Sequence, residues 1–238
     1  MKSFVRQRKA QFVIIAALMI AIMMVSLGAL LYSAVSYYKH EPWEEYLTLI
    51  GNIELGAHRL VELSLVNYTH TLNTNILKTN LEKWQSNLTS MYLGYGIALD
   101  YQLAMGTQYN YDSGLASDWY EAASFSAAKA TFTLNITSIG LKGYKFMATP
   151  LLNLVIRKVD NATKKITVTI TQEDGIPVTD LNKDNFQVDG LSIASVTSSY
   201  DPNYTLVYTI ECATYLPPSV TVRVWDLRGI KVVATKTT

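Results

Sequence analysis

The chain has 238 residues, 49% of them hydrophobic and 16% charged, with a net charge of +1. This near-neutral balance excludes a global attraction to nucleic acid, which needs clustered Lys and Arg to displace counterions. Cys212 is the only cysteine, so no disulfide forms within one chain and an exported domain has to be held by its core.

Residues 1–11 hold the only basic cluster, Lys2, Arg6, Arg8 and Lys9, and no charged residue occurs from Phe12 to Tyr38. A helix needs roughly 20 apolar residues to cross about 30 Å of hydrocarbon. Residues 12–38 are therefore expected to form a transmembrane helix in a lipid bilayer, with 1–11 as a cytoplasmic leader and the rest exported. Ala34-Val35-Ser36 offers a small-x-small cleavage site, but the apolar run before it is longer than a signal peptide requires. An uncleaved signal anchor fits the sequence as it stands. A third fate follows from Arg8-Lys9-Ala10-Gln11-Phe12, which resembles the processing junction of archaeal type IV prepilins. That resemblance implies cleavage by a prepilin peptidase between Ala10 and Gln11, making Lys9, Ala10 and Gln11 the processing site. It also implies that the helix stays on the mature subunit and enters a filament core, where Ala16, Ala17, Ala21, Gly28 and Ala29 would allow close packing. Ile15 and Ala16 stand where bacterial type IV pilins usually carry a glutamate, which sets the chain apart from that subtype.

Residues 39–98 read as a helical hairpin outside the membrane. Tyr37, Tyr38 and Trp43 suit the membrane interface, and Pro42 interrupts the helix. Beyond it Tyr46, Ile50, Ile53, Ala57 and Leu60 recur at alternating spacings of four and three, as do Leu77, Leu81, Trp84, Leu88, Met91 and Tyr95. The two stripes are expected to bury each other. Asn67 to Asn75 is rich in turn and N-cap residues and reads as the connecting loop, with one uninterrupted helix as the alternative.

From 99 to 126 the pattern weakens around Gly106 and Gly114 and suggests an irregular connection. From 127 to 238 period two takes over. Ala130, Phe132, Leu134 and Ile136 share one face, and Ile166, Val168 and Ile170 repeat the pattern, as do Val220, Val222 and Val224. Short alternating strands divided by Gly and Pro turns indicate an antiparallel β-sandwich. Within it, Val168-Thr169-Ile170-Thr171, then Gly175-Ile176-Pro177-Val178 with Leu181, and then Phe186-Gln187-Val188, resemble a run found in immunoglobulin-like modules of surface and adhesion proteins. The resemblance implies an immunoglobulin-like fold, with Val178, Leu181, Phe186 and Val188 in its core.

The acceptor sequence Asn-x-Thr occurs at Asn67, Asn87, Asn135, Asn161 and Asn203, always beyond the expected membrane helix. Its repetition points to a glycosylated surface protein. Asn161 falls in a hairpin turn, Asn135 on a polar strand face, and Asn87 beside the helix seam, where it is the poorest acceptor of the five.

Little in the chain suggests catalysis. His40, His58 and His70 lack metal-ligand spacing, and neither H-E-x-x-H, C-x-x-C nor G-x-S-x-G occurs. Asp180-x-Asn182-x-Asp184 opens like a calcium loop but fails where the loop must turn and close, at Asn185 and Leu191. We therefore expect an α+β chain with no catalytic or metal site and no cofactor. The expected function is a membrane-anchored, exported cell-surface structural protein, a type IV pilin-like filament subunit. Its partners would be the bilayer, further copies or other pilin-like subunits, and a prepilin peptidase. The alternative is a permanently anchored single-pass surface protein that binds a protein or glycan through its β-domain.

Overall fold

A computed structural model describes residues 18–33, 43–106 and 109–237. The chain divides into two units, Met1–Ile53 and Glu54–Thr238. The first contains helix α1 (residues 18–33) and the opening turns of α2 (Trp43–Thr71), and the second contains everything else, beginning with the remainder of α2.

In the second unit α2 turns back at Leu72–Asn75 into α3 (Ile76–Met91). The two helices run antiparallel. A Cβ on Gly56 would lie 3.3 Å from the Trp84 indole, and eight residues further along α2 the Asn80 amide donates to Ser64 Oγ at 2.9 Å. The expected hairpin is thus present, but its loop is shorter than the sequence suggested. Residues 67–71 stay helical because Tyr68 and Thr69 are buried. Local hydroxyl bonds also reinforce the last turns, from Thr69 to the Val66 carbonyl and from Thr71 to that of Asn67. Burial here outweighs weak intrinsic propensity.

The stripe of α3 turns to a sheet. Leu77, Leu81 and Leu88 are buried on α3, which lies against β1 (Ile97–Leu103). Gln85 Nε2 donates to the Leu99 carbonyl at 2.5 Å. Met91, expected in the stripe, is exposed. The stretch expected to be irregular, 99–126, instead carries most of β1, all of β2 (Leu115–Asp118) and most of β3 (Ala123–Ala128). The β region therefore starts at Ile97. In β1, Ile97 and Leu99 alternate into the core beneath α3, and β2 and β3 bury small residues, Ala116, Ser126, Ala127 and Ala128.

The remaining strands are β4 (Ala130–Ile136), β5 (Leu141–Ala148), β6 (Leu151–Asp160), β7 (Lys165–Gln172), β8 (Phe186–Val188), β9 (Ile193–Tyr200), β10 (Leu206–Cys212), β11 (Ser219–Trp225) and β12 (Lys231–Thr237). They pair antiparallel, in the orders β1-β4-β5, β2-β3-β6-β7-β10-β9 and β12-β11-β8. One ribbon joins the first two sheets. Ala130 pairs with Ala148 across β4 and β5, and Ala127 pairs with Leu151 across β3 and β6, in unbroken register. Lys129 on one arm and Thr149-Pro150 on the other mark the bend, because Pro150 cannot donate to the ladder. The Pro150 carbonyl still accepts from the Ala128 N–H, so the bend leaves the ribbon intact.

Beyond the bend, β6-β7-β10-β9 and β12-β11-β8 form the two layers of a β-sandwich. The ring centroids of Phe186 and Tyr208 are 5.5 Å apart between the layers. Tyr208 is buried, donates its hydroxyl to the Val178 carbonyl at 2.9 Å and accepts from the Leu181 N–H. Val178, Leu181, Phe186 and Val188 are all buried, as expected. The C-terminal end of α2 abuts the same region: Thr69 accepts the Lys231 N–H and Tyr68 bonds to Ser117.

Candidate functional site

Lys9, Ala10 and Gln11 lie outside the described residues, as do both ends of the expected transmembrane segment. Its middle, α1, is helical, and every one of its residues is exposed. Among the described residues no helix is long and apolar enough to cross a membrane. At 1.5 Å per residue, the described part of α1 spans about 24 Å. Leu18, Met23, Met24, Val25, Leu30 and Leu31 are each more than half exposed.

The five Asn-x-Thr sequences fall into three environments. Asn161 and Asn203 are exposed in turns, between β6 and β7 and between β9 and β10, with Asn161 in the hairpin turn expected for it. Among the described residues the Asn161 side chain bonds only through its carbonyl oxygen, which accepts the Leu216 N–H and leaves the amide nitrogen that a sugar would occupy without a partner. Asn203 follows an Asx turn in which Asp201 accepts the N–H groups of Asn203 and Thr205. Asn67 and Asn87 are exposed on helices. Asn67 is not in the loop expected for it, and Thr69 of its sequon is fully buried. Asn87 is freely exposed despite its place near the seam, because the buried stripe of α3 turns to the sheet. Asn135 lies on the polar face of β4, where it is half-buried and accepts the Gly143 N–H at 2.8 Å.

Cys212 is buried, and burial raises its thiol pKa above the usual value. The Asp180–Asp184 spacing serves turn formation. Asn182 accepts the Asp184 N–H, and Asn185 reaches back to the Asn182 N–H, which together form a capping box.

The most concentrated polar geometry was not visible in the sequence. Arg228, in the turn between β11 and β12, approaches three carboxylates: Asp226 at 2.6 Å, Glu173 at 2.6 Å and Glu62 of α2 at 3.4 Å. It also donates to the Leu151 carbonyl at 3.0 Å. Asp226 accepts the backbone N–H groups of Arg228 and Ile230, and Glu173 accepts that of Leu151. One guanidinium therefore ties α2, the start of β6, the turn after β7 and the β11–β12 turn together. Its rigid fork of five donors suits that task. Burial is the largest influence on its pKa and lowers it, but bonding to Glu173 and Asp226 outweighs this and leaves it raised. With one cation among three carboxylates, and the nearest pairs separated by up to 166 positions in sequence (Glu62 to Arg228), only the fold reveals the cluster.

Glu62 is the weakly held member. Burial raises its pKa above the usual carboxylate value, Arg228 partly offsets that, and Asp226 and Glu173 reinforce it. A raised folded-state pKa means that the folded chain holds this proton more tightly than the unfolded chain. The stability linked to Glu62 is therefore greatest below the unfolded pKa and falls as pH rises through the raised value. Glu62→Gln should raise the urea midpoint at pH 7, and the difference from wild type should shrink as the pH approaches about 4.

Comparison with protein-family models, with curated proteins and with solved structures returned no match.

Proposed function

We propose that the chain is an exported, membrane-anchored cell-surface structural protein: a type IV pilin-like subunit displaying an immunoglobulin-like β-domain. The observation that carries this reading is α1, a helix without a charged residue whose side chains are exposed all round. A helix apolar on every face needs an apolar surrounding, supplied by lipid before assembly and by neighbouring helices after it. Covering a large aliphatic side chain is worth about 1.5–3 kcal/mol, so such a helix strongly favours burial over water. The basic leader fixes direction, and the Lys9-Ala10-Gln11 junction supplies the route from anchor to filament.

The order of the C-terminal strands supports the second half of the proposal. β6-β7-β10-β9 opposite β8-β11-β12 corresponds to the A-B-E-D and C-F-G sheets of a seven-stranded immunoglobulin-like domain. In this reading the module begins at β6, and β1 to β5 form the joint between it and the helices. Intact mass and N-terminal sequencing of the native protein test the function. A mature chain beginning at Gln11, found in filaments by electron microscopy, is the expected result. A chain still beginning at Met1 would overturn the pilin-like reading and leave a permanent anchor.

A further inference from the structure

At the bend of the ribbon lies a cleft of about 460 Å³, within the range of small-ligand sites. One wall is aromatic. The Tyr109 ring lies 4.7 Å from Phe125 and 5.8 Å from Tyr111, both edge-on. Beside this wall Gly106 and Tyr111 exchange backbone hydrogen bonds in both directions. The opposite wall is the turn Glu173-Asp174-Gly175, and Asn153 and Thr149 line the cleft between the walls. Glu173 is committed to Arg228 and to the Leu151 N–H. Asp174 is not: among the described residues neither its carboxylate nor the Lys129 ammonium, which also lines the cleft, has a hydrogen-bond or ion-pair partner. Asp174 is also held at φ 56°, a strained conformation that local structure elsewhere has to sustain.

These groups select a ligand class. A pyranose has an apolar C–H face that suits the electron-rich face of an aromatic ring, and a rim of hydroxyls that both donate and accept. A carboxylate only accepts and an ammonium only donates, so Asp174 and Lys129 together serve hydroxyls from both sides. Their charges cancel, and an anionic or cationic ligand would meet one like charge. We infer that this cleft binds a neutral sugar of one or two rings, with Tyr109 against its C–H face and Asp174, Lys129 and Asn153 on its hydroxyls. The site would give the chain a carbohydrate-binding activity in addition to display. It does not depend on filament formation, since a permanently anchored monomer would carry the same cleft.

The test uses the full chain in a detergent without a sugar headgroup, titrated with maltose, cellobiose, lactose and diacetylchitobiose and followed by saturation-transfer NMR. At least one of the four should saturate, with a Kd of about 0.1–10 mM. Asp174→Gly and Tyr109→Ala should each weaken that binding by roughly tenfold or more. Glycine accepts the φ of Asp174 without cost, so Asp174→Gly decides the matter even if Tyr109→Ala fails to fold. Failure of all four sugars to saturate, or a Kd unchanged in Asp174→Gly, would overturn the site. Displacement of the bound sugar by inorganic phosphate would overturn the assignment to a neutral ligand. None of these outcomes alters the mature N-terminus, so the sugar site and the pilin-like reading can fail separately.

Discussion

Arg228→Met is expected to lower the stability of the Glu54–Thr238 unit by about 3–5 kcal/mol, which for a domain of this size is a loss of about 6–20 °C in Tm. The physical reason is what the substitution leaves behind. The Asp226 side chain is only 3% exposed and its nearest cation is Arg228 at 2.6 Å, while Glu173 and Glu62 are about 30% exposed. Removing the guanidinium strands a buried carboxylate beside two others, and an uncompensated buried charge costs far more than the intact pair contributes. Methionine keeps much of the apolar stem, so the loss is chiefly electrostatic. Acid should therefore rescue it: as the pH falls through the carboxylate range, the gap between variant and wild type should narrow. Arg228→Lys should fall in between, because a single ammonium cannot reach two carboxylates and the Leu151 carbonyl together. The exposed pair Lys78–Glu82, at 4.0 Å with both side chains more than half exposed, is the control, and Lys78→Ala should change stability by about 0.5 kcal/mol or less. Urea and thermal unfolding of the three variants at pH 7 and pH 4 measure all of this. A Tm for Arg228→Met within 2 °C of wild type would sink the account of the cluster as an electrostatic tie.

Where the sequence was legible, it was so because one physical signal dominated. In β4, β7 and β11 strict alternation of large apolar and polar residues matches a sheet with one buried face, and those strands lie where alternation put them. The hairpin turn at Asn161 is legible for the same reason, since polar residues interrupt two alternating runs. β2 and β3 are illegible because Leu-Ala-Ser-Asp and Ala-Ser-Phe-Ser-Ala-Ala carry little of the β-branched and aromatic signal of strands. Their small residues are needed where β3 lies close to β12: Ser126 donates to the Lys231 carbonyl at 2.6 Å and Thr235 donates to the Glu121 carbonyl. The ribbon is hidden for a different reason. Lys129 and Pro150 look like strand ends, and nothing local says that pairing resumes in register beyond them. The charge cluster and the aromatic cleft are hidden by distance, since Glu62 and Glu173 reach Arg228, and the Glu173–Gly175 turn reaches Tyr109, only once the chain has folded.

Phe132→Ala should have a comparable effect on stability, about 3–5 kcal/mol, but a different signature. Phe132 is fully buried on the central strand of the β1-β4-β5 sheet. It stacks on Phe146 at 5.0 Å and meets the edge of Trp84 at 6.3 Å, and Trp84 belongs to α3. Truncation removes two aromatic contacts along with the buried area, and leaves a cavity that Phe146 and Trp84 cannot both fill without losing their own packing. The damage should concentrate where α3 meets the sheet. Amide exchange in α3 should accelerate first, while β10 and β11 in the sandwich should stay protected until global unfolding. Phe132→Leu keeps most of the volume and should retain more than half of the lost stability. Unlike Arg228→Met, neither variant should be rescued by acid, because no charge is exposed or stranded. If α3 and β11 lose protection together in Phe132→Ala, the helical layer and the sandwich unfold as one cooperative unit, and the ribbon that crosses the bend is stiff enough to couple them.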